Sequence, residues 1–141
     1  MLKLGSVNTV SSYTSYLENS FLIFTINLFS YSLAQQYIAL KKVYCLDNGL
    51  AESIAFRFSQ DRGRFLENLV FVELKRRRKE IFYYKTKTSR EIDFVIREGK
   101  DIKEVIQVSE NLHNQETRER EIGSLLEALN ELNLKEGLIL T

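Results

Sequence analysis

The clearest pattern of apolar and polar positions covers residues 90–110, REIDFVIREGKDIKEVIQVSE. Apolar residues alternate with polar ones on both sides of residues 98–101 (EGKD), which predicts two antiparallel strands joined by a tight turn. If the hairpin is centred on Lys100, three pairs face each other across the strands: Arg97 with Lys103, Val95 with Val105, and Asp93 with Gln107.

A period of two along each strand sorts these side chains into two faces. The predicted core face carries the apolar residues Ile92, Phe94, Ile96, Ile102, Ile106 and Val108. The opposite face carries the polar residues Glu91, Asp93, Gln107 and Ser109. Because directly opposed side chains share a face, an acid and an amide, Asp93 and Gln107, are predicted to lie side by side on an otherwise apolar strand pair.

The first part of the chain, residues 1–58, has a less regular pattern. It predicts a helix, a strand, a loop, an extended segment and a second helix, over residues 1–20, 21–29, 30–36, 37–46 and 47–58. This order is typical of the end of a winged-helix unit whose first helices lie outside the chain. Such a partial winged-helix-like segment is too small to bury its own aromatic residues. We expect it to pack on the following domain, or on a neighbouring copy of the chain, through Phe21, Phe24 and Tyr37.

The second part, residues 59–141, predicts a separate domain. A long helix over residues 61–79 has a broad apolar stripe and precedes a strand over residues 81–85. After the central hairpin come a helix over residues 115–132 and a short strand over residues 138–140. A strand, a crossover helix and a strand indicate one parallel pairing. The predicted fold is α/β, a mixed β-sheet flanked by helices in the order αβββαβ.

Charge adds little to this picture, because the net charge of the 141 residues is only +1. Any basic surface must therefore be local. The run KRRRK at residues 75–79 lies at the end of the long predicted helix, where cations suit the negative end of the helix dipole. A contact with phosphate is the alternative interpretation of this run.

Cysteine usage and hydropathy indicate a compartment. The single cysteine, Cys45, excludes an intramolecular disulfide and is compatible with a reducing cytosol. There is no pattern of a signal peptide and no apolar run long enough to span a bilayer, so we expect a cytoplasmic protein without membrane contact. The P-loop pattern GxxxxGK[ST] does not occur, so the chain does not bind ATP in that way.

Several stretches resemble a known family. They are NTVSSYTSYLENSFLIF, KKVYCLDNGL, GRFLENLVFVEL, REIDFVI, IQVSE and TRERE. Together they resemble the C-terminal region of prokaryotic AAA-type ATPases, in which a winged helix and a nuclease-like domain of unknown function follow the ATPase module. The helix, the two strands and their polar residues resemble the PD-(D/E)xK nuclease fold. The resemblance implies a site formed by Glu67, Asp93 and Gln107.

The resemblance also implies a degenerate site. Ser109 stands where the nuclease signature has a lysine, so the positive charge that helps activate water is missing there. Three residues are candidate substitutes for that charge: Lys85, Lys103 and Arg118. Asp93, the side-chain oxygen of Gln107 and the backbone carbonyl of Val108 are the candidate ligands of Mg²⁺ or Mn²⁺. Because glutamine replaces an acid, we expect weak metal binding.

The resemblance leaves three functions open. The first is a non-catalytic or weakly catalytic accessory module that acts in cis with an ATPase module outside this chain and contacts nucleic acid or a partner protein. The second is a divalent-metal-dependent nuclease that hydrolyses phosphodiesters. The third is a pure protein-interaction domain, which the near-zero net charge favours.

Overall fold

A computed structural model describes residues 7–54 and 62–141 of the chain. The helices are α1 (Val7–Asn19), α2 (Leu33–Ile38), α3 (Asn48–Ile54), α4 (Arg62–Arg76) and α5 (Gln115–Glu131). The strands are β1 (Ile23–Ile26), β2 (Lys42–Cys45), β3 (Glu80–Lys85), β4 (Glu91–Glu98), β5 (Asp101–Val108) and β6 (Leu138–Leu140). The predicted domain boundary between residues 58 and 59 lies outside the described residues. No helix within those two ranges is long and apolar enough to cross a membrane.

The larger sheet has four strands in the order β3-β4-β5-β6. The first two pairings are antiparallel, and β5 pairs with β6 in parallel. The helix α5 forms the crossover between β5 and β6, and it begins at Asn114, whose side chain accepts a hydrogen bond from the Thr117 N–H. The mixed sheet and the order helix, three strands, helix, strand are therefore confirmed.

The central hairpin has the predicted turn but a different register beyond it. Gly99 has a φ of 64°, which glycine adopts without steric cost, in the two-residue loop between Glu98 and Asp101. Val95 pairs with Val105 as predicted. The predicted pair of Arg97 and Lys103 is wrong, because Arg97 faces Ile102. The cause is a β-bulge in β5: Ile96 pairs with Glu104 and the next residue, Arg97, pairs with Ile102, so Lys103 is the extra residue.

A second irregularity lies between β3 and β4. Phe82 pairs with Val95, whereas Tyr84 pairs with Ile92, so β4 has one more residue than β3 between these two pairs. An extra residue interrupts the alternation of side chains along a strand. Ile92 and Val95 therefore pack in one hydrophobic cluster, while Phe94 packs in the other.

Both faces of the sheet are buried, so the predicted single core face is wrong. One cluster lies under α5 and contains Ile92, Val95, Val105, Leu125 and Ala128, with Ile102 packed against it. The other lies under α4 and contains Phe71, Phe94, Ile96 and Ile106, with Val108 packed against it. The two bulges explain the split, because each moves part of the apolar set to the opposite face.

The N-terminal strands β1 and β2 form a separate antiparallel pair that packs against the α4 side of the sheet. The ring of Tyr44 stacks on Phe71, with the centroids 4.3 Å apart, and Phe24 lies 5.8 Å from the same ring. The predicted contact through Phe24 is thus confirmed. Tyr37 is 86% exposed, so it does not pack on the following domain. The centre of the Phe21 ring lies 6.5 Å from that of Phe24, and Phe21 stays exposed.

Residues 30–36 were predicted to be a loop, but the short helix α2 begins within them, at Leu33, so the prediction is wrong for residues 33–36. This helix begins after Ser32, whose side chain accepts a hydrogen bond from the Gln35 N–H. A serine cap of this kind stabilises even a single helical turn or two. The predicted extended segment is therefore shortened to the four residues of β2.

Candidate functional site

Three acidic side chains meet around one lysine where β2, α4 and β4 come together. Lys42 extends from β2, and its Nζ lies 2.9 Å from Glu67 Oε1 on α4. The same Nζ lies 2.9 Å from Glu91 Oε1 and 3.1 Å from Asp93 Oδ1, both on β4. We call Lys42, Glu67, Glu91 and Asp93 the lysine–acid cluster. Glu67 and Asp93, two of the predicted site residues, are thus brought together by a cation that the sequence interpretation did not include.

Further hydrogen bonds fix β2 to α4 beside the lysine–acid cluster. The Tyr44 hydroxyl donates to Glu67 Oε1 over 2.6 Å. The Asn68 side chain accepts from the Cys45 N–H and donates to the Cys45 carbonyl, at 2.8 and 3.0 Å. Glu67 and Asn68 are neighbours on α4, so the motif FLEN in this helix holds the N-terminal segment in place.

Burial and charge together shift the ionisation of the lysine–acid cluster. Burial, and then the nearby charge of Glu67, raise the pKa of Asp93 to about 6, although Lys42 opposes the shift. Burial by itself would lower the pKa of Lys42, but the charges of Asp93 and Glu67 outweigh it and raise that pKa above its ordinary value. Burial and the charge of Glu67 also raise the pKa of Tyr44, which keeps the phenol a hydrogen-bond donor.

Gln107 lies beside Asp93, but its side chain contacts α5, on the opposite face of the sheet from the Asp93 carboxylate. Its Oε1 accepts a hydrogen bond from the Asp93 N–H over 3.3 Å, and its Nε2 donates to Glu121 Oε2 on α5 over 2.7 Å. The Asp93 carboxylate instead bonds Lys42 on the α4 side. The predicted side-by-side placement of the acid and the amide on one face is therefore wrong. The bulge in β4 is the reason, because it interrupts the alternation next to Asp93.

Val108 and Ser109 contribute backbone groups to this region. The Val108 N–H donates to Asp93 Oδ2 over 2.9 Å, so Val108 contacts the acid as a hydrogen-bond donor. The Ser109 N–H donates to the Leu140 carbonyl on β6, which extends the parallel pairing. Ser109 is buried and its hydroxyl points to the Asn111 carbonyl at 3.4 Å. No positive charge comes from position 109.

The three predicted charge substitutes lie at or beyond the edge of the lysine–acid cluster. Lys85 Nζ is 3.8 Å from Glu91 Oε2 and half-exposed. Lys103 lies at the bulge of β5 and pairs with Asp101 near the hairpin turn. Arg118 is exposed near the start of α5, where it lines a surface cavity with residues of the same helix. The structure does not bring Lys103 or Arg118 to Asp93.

The arrangement does not fit the predicted metal site. In the part of the chain that the structure describes, no set of three acidic, histidine or cysteine side chains is placed to hold a metal ion. The Lys42 ammonium lies between the carboxylates of Glu67 and Asp93. The Gln107 side chain is engaged by Glu121. A divalent ion would have to displace Lys42 before it met these carboxylates.

The sequence interpretation missed Lys42, Tyr44 and Glu121. Lys42 and Tyr44 are two residues apart, so their side chains lie on the same face of β2. The ammonium of Lys42 and the hydroxyl of Tyr44 both donate to Glu67 on α4. That spacing is the signal available in the sequence. Glu121 had no such signal, because a glutamate in the first turns of a helix is ordinarily exposed.

Comparison of the sequence with known proteins identifies a family. A family model described as a domain of unknown function, DUF4143, matches residues 62–141, more than half of the chain. The chain belongs to the DUF4143 family. A second model, DUF8612, also a domain of unknown function, matches residues 3–61. DUF4143 domains are often found in the C-terminal regions of AAA-type ATPases.

Two curated relatives of this DUF4143 chain are themselves uncharacterized. The chain is 40% identical over 129 residues to the uncharacterized protein MJ1544 of Methanocaldococcus jannaschii, covering 89% of this chain and 27% of that protein. It is 32% identical over 111 residues to an uncharacterized protein of Haemophilus influenzae, covering 77% of this chain and 28% of that protein. The chain thus spans about a quarter of the length of these relatives. No solved structure matches it.

The family boundaries give the lysine–acid cluster a clear position. Glu67, Glu91 and Asp93 lie within the DUF4143 match, whereas Lys42 and Tyr44 lie within the DUF8612 match. The ion pairs of Lys42 therefore join the two matched regions.

Proposed function

We propose that this DUF4143 chain is a non-catalytic, nuclease-like accessory module of a AAA-type ATPase, which contacts nucleic acid or a partner protein. The ATPase module would act in cis, in the part of the polypeptide outside these residues. In this proposal the lysine–acid cluster is a structural joint between the two matched regions and not a catalytic centre.

The observation that carries the proposal is the position of the Lys42 ammonium, within 3.1 Å of Glu67, Glu91 and Asp93. A metal-dependent nuclease needs these carboxylates free to hold a divalent ion that activates water. Here they neutralise a lysine, and Ser109 adds no charge to stabilise a developing anion. Loss of one such group costs about 3 kcal/mol by analogy with oxyanion donors. We therefore expect no firmly bound Mg²⁺ or Mn²⁺.

The nuclease-like ancestry is supported by topology and by two residues. The order helix, three strands, helix, strand over residues 62–140 agrees with the order expected of the PD-(D/E)xK fold. Glu67 on the first helix and Asp93 on the second strand both contact Lys42, which agrees with a shared site in such a fold. The segment before them, with the helices α1 to α3 and the strands β1 and β2, is the part we assign to a partial winged-helix-like unit.

An accessory role in a longer polypeptide is supported by the N-terminal surface. Exposed large apolar side chains concentrate between residues 10 and 50 and include Tyr13, Tyr16, Tyr37, Ile38 and Leu40. Large exposed apolar patches usually mark interaction surfaces. The matched stretch is only 27% and 28% of the length of the two relatives, and DUF4143 domains often accompany AAA-type ATPases. We propose that the ATPase module in cis covers this surface.

A cleavage assay tests the non-catalytic part of the proposal. The purified chain is incubated with Mg²⁺ or Mn²⁺ and with single- and double-stranded DNA and RNA, beside the variant Asp93→Ala. We expect both proteins to give only background cleavage. Robust cleavage by the wild type that Asp93→Ala abolishes would contradict the proposal.

The second candidate function is a metal-dependent nuclease, and one observation favours it. Lys42 brings an ammonium to the acidic pair from β2, so the lysine that position 109 lacks has a substitute in space. If this candidate is right, Lys42→Met abolishes cleavage as completely as Asp93→Ala does. The exposed apolar surface also agrees with the third candidate, a pure protein-interaction domain, which predicts no affinity for nucleic acid at low salt.

A further inference from the structure

Charge is segregated between the two helices that cover the sheet. Residues 62–79, which comprise α4 and the turn after it, contain seven basic and two acidic residues and so carry +5. Residues 115–131, which form α5, contain two basic and five acidic residues and so carry −3. Because α4 and α5 lie over opposite faces of the sheet, the near-zero net charge conceals a basic side and an acidic side.

The cations at the end of α4 are only partly neutralised. Glu73 alone accepts hydrogen bonds from both Arg76 and Arg77, so one carboxylate serves two cations. Lys79 pairs with Glu98 and Glu104. Among residues 7–54 and 62–141, no carboxylate forms an ion pair with Lys75 or Arg78.

Arg78 occupies a backbone position that favours glycine. The Lys79 N–H donates to the Leu74 carbonyl and the Arg78 N–H to the Lys75 carbonyl, which is the Schellman pattern at a helix end. In this pattern the residue after the cap has a left-handed conformation, and Arg78 has a φ of 56°. Glycine takes this conformation without steric cost. An arginine is therefore unfavourable for the backbone at this position. A role of the Arg78 side chain as a cation would explain why the position is not glycine.

Lys75 and Arg78 line one surface cavity of about 340 Å³ between the end of α4 and the edge of β1. Thr25 and Asn27 line the same cavity and add polar groups. The Lys75 ammonium lies 5.5 Å from the centre of the Phe24 ring, which holds it at the cavity without neutralising it. Two cations that pair with no carboxylate of the described residues thus face a space large enough for a phosphate group. Lys79 and Glu80 also line the cavity, and Glu80 is paired with Arg97.

We propose that this cavity binds a backbone phosphate of nucleic acid, through Lys75 and Arg78. A nucleic-acid strand fits better than a single small anion, because Arg76 and Arg77 continue the positive surface outside the cavity. Lys75 follows Glu67 by eight residues on α4, about 12 Å along the helix axis at 1.5 Å per residue, so the contact is separate from the lysine–acid cluster. It rests on the nucleic-acid branch of the proposed function.

Fluorescence anisotropy with labelled single-stranded and duplex DNA of about 20 nucleotides, longer than the roughly 4–16 nucleotides that one single-strand-binding fold covers, tests this site. Titrations in EDTA at about 50 and 200 mM salt exclude any metal-dependent step. The variants are Lys75→Ala and Arg78→Gly, and Lys100→Ala at the exposed hairpin turn is the control with the same charge loss. Each site variant should weaken binding about tenfold at the lower salt and reduce the slope of log K against log salt by about 1. Lys100→Ala should bind like the wild type.

Arg78→Gly separates binding from folding, because glycine suits the left-handed position. Its melting temperature should equal or exceed that of the wild type while its affinity falls. Low salt favours contacts with phosphate, so absence of binding by the wild type at about 50 mM salt would overturn the site. It would not overturn the non-catalytic assignment, which the cleavage assay tests separately. Equal losses in all three variants would also overturn it, because they would show diffuse charge attraction. Binding only to anionic phosphatidylserine vesicles would replace nucleic acid with a lipid surface.

Discussion

The Lys42 Nζ lies 3.1 Å from Asp93 Oδ1, although 51 residues separate the two in sequence. The contact joins the segment matched by DUF8612 to the sheet matched by DUF4143. Both side chains are largely buried, at 21% and 12% exposure. An ion pair with this little solvent is costly to break from one side, because the remaining charge loses its partner. The stability of the chain should therefore depend on Lys42.

Lys42→Met should lower the free energy of unfolding by about 2–3 kcal/mol, since it leaves Glu67 and Asp93 without their cation. Urea unfolding followed by circular dichroism measures the change. Lys85→Met is the matched control, because Lys85 is half-exposed and lies 3.8 Å from Glu91. It should change stability by less than about 0.5 kcal/mol. Equal effects of the two variants would contradict the central role of Lys42.

Divalent ions should distinguish Lys42→Met from the wild type. In the wild type the Lys42 ammonium already occupies the space between the carboxylates, so added Mn²⁺ should leave the melting temperature unchanged. In Lys42→Met the unpaired carboxylates favour a cation that binds the folded state, and such binding raises the melting temperature. Thermal unfolding with and without Mn²⁺ measures both. Equal stabilisation of the two proteins would show that a metal binds beside Lys42.

Tyr44 should contribute through both its ring and its hydroxyl. Tyr44→Phe keeps the stacking on Phe71 but removes the hydrogen bond to Glu67, and should cost about 1–2 kcal/mol. Tyr44→Ala also removes the ring and should cost about 3–5 kcal/mol. Tyr37→Ala, at an 86% exposed position, should be nearly neutral. If Tyr44→Ala were as mild as Tyr37→Ala, the N-terminal segment would not fold as one unit with the sheet.

Restoring the acid of the nuclease signature should destabilise this chain. Gln107 donates to Glu121 over 2.7 Å, so Gln107→Glu would place two buried carboxylates in contact. We expect a loss of about 2–3 kcal/mol. The double variant Gln107→Glu with Glu121→Gln exchanges the two groups and should recover most of it. Unfolding measurements on Gln107→Glu, on Glu121→Gln and on the double variant give the coupling energy between the two positions. If the losses of the two single variants simply add up in the double variant, the hydrogen bond is contradicted.

Asp93 should make stability depend on pH in the acidic range. Its pKa is about 6 in the folded state against an ordinary value of 3.8, so between these values the folded state binds more protons than the unfolded state. The contribution of Asp93 is therefore fully present below about pH 4 and is lost as the pH rises through 6, by up to about 3 kcal/mol. Carbon-13 NMR of the Asp93 carboxyl group measures the midpoint. A midpoint near 4 would contradict the burial argument.

The sequence by itself determined the elements of residues 62–141 and their order. The apolar stripes of α4 and α5 and the turn at Gly99 are local patterns with periods of 3.6 and 2, and local geometry fixes them. The same patterns also predicted the parallel pairing of β5 and β6, since a crossover helix between strands leaves few alternatives.

Only the tertiary structure decided how the side chains of the hairpin are divided between the two faces. Each β-bulge is an extra residue on one strand relative to its partner, so it depends on how two strands pair and leaves no mark in the alternation of either one. The bulge in β4 separates the directions of Asp93 and Gln107, and the bulge in β5 moves Ile102 to the α5 side. The contacts of Lys42 also depend on tertiary structure. Its ion pairs span 25 and 51 residues of sequence, and only the packing of β2 on α4 brings its charge to Glu67 and Asp93.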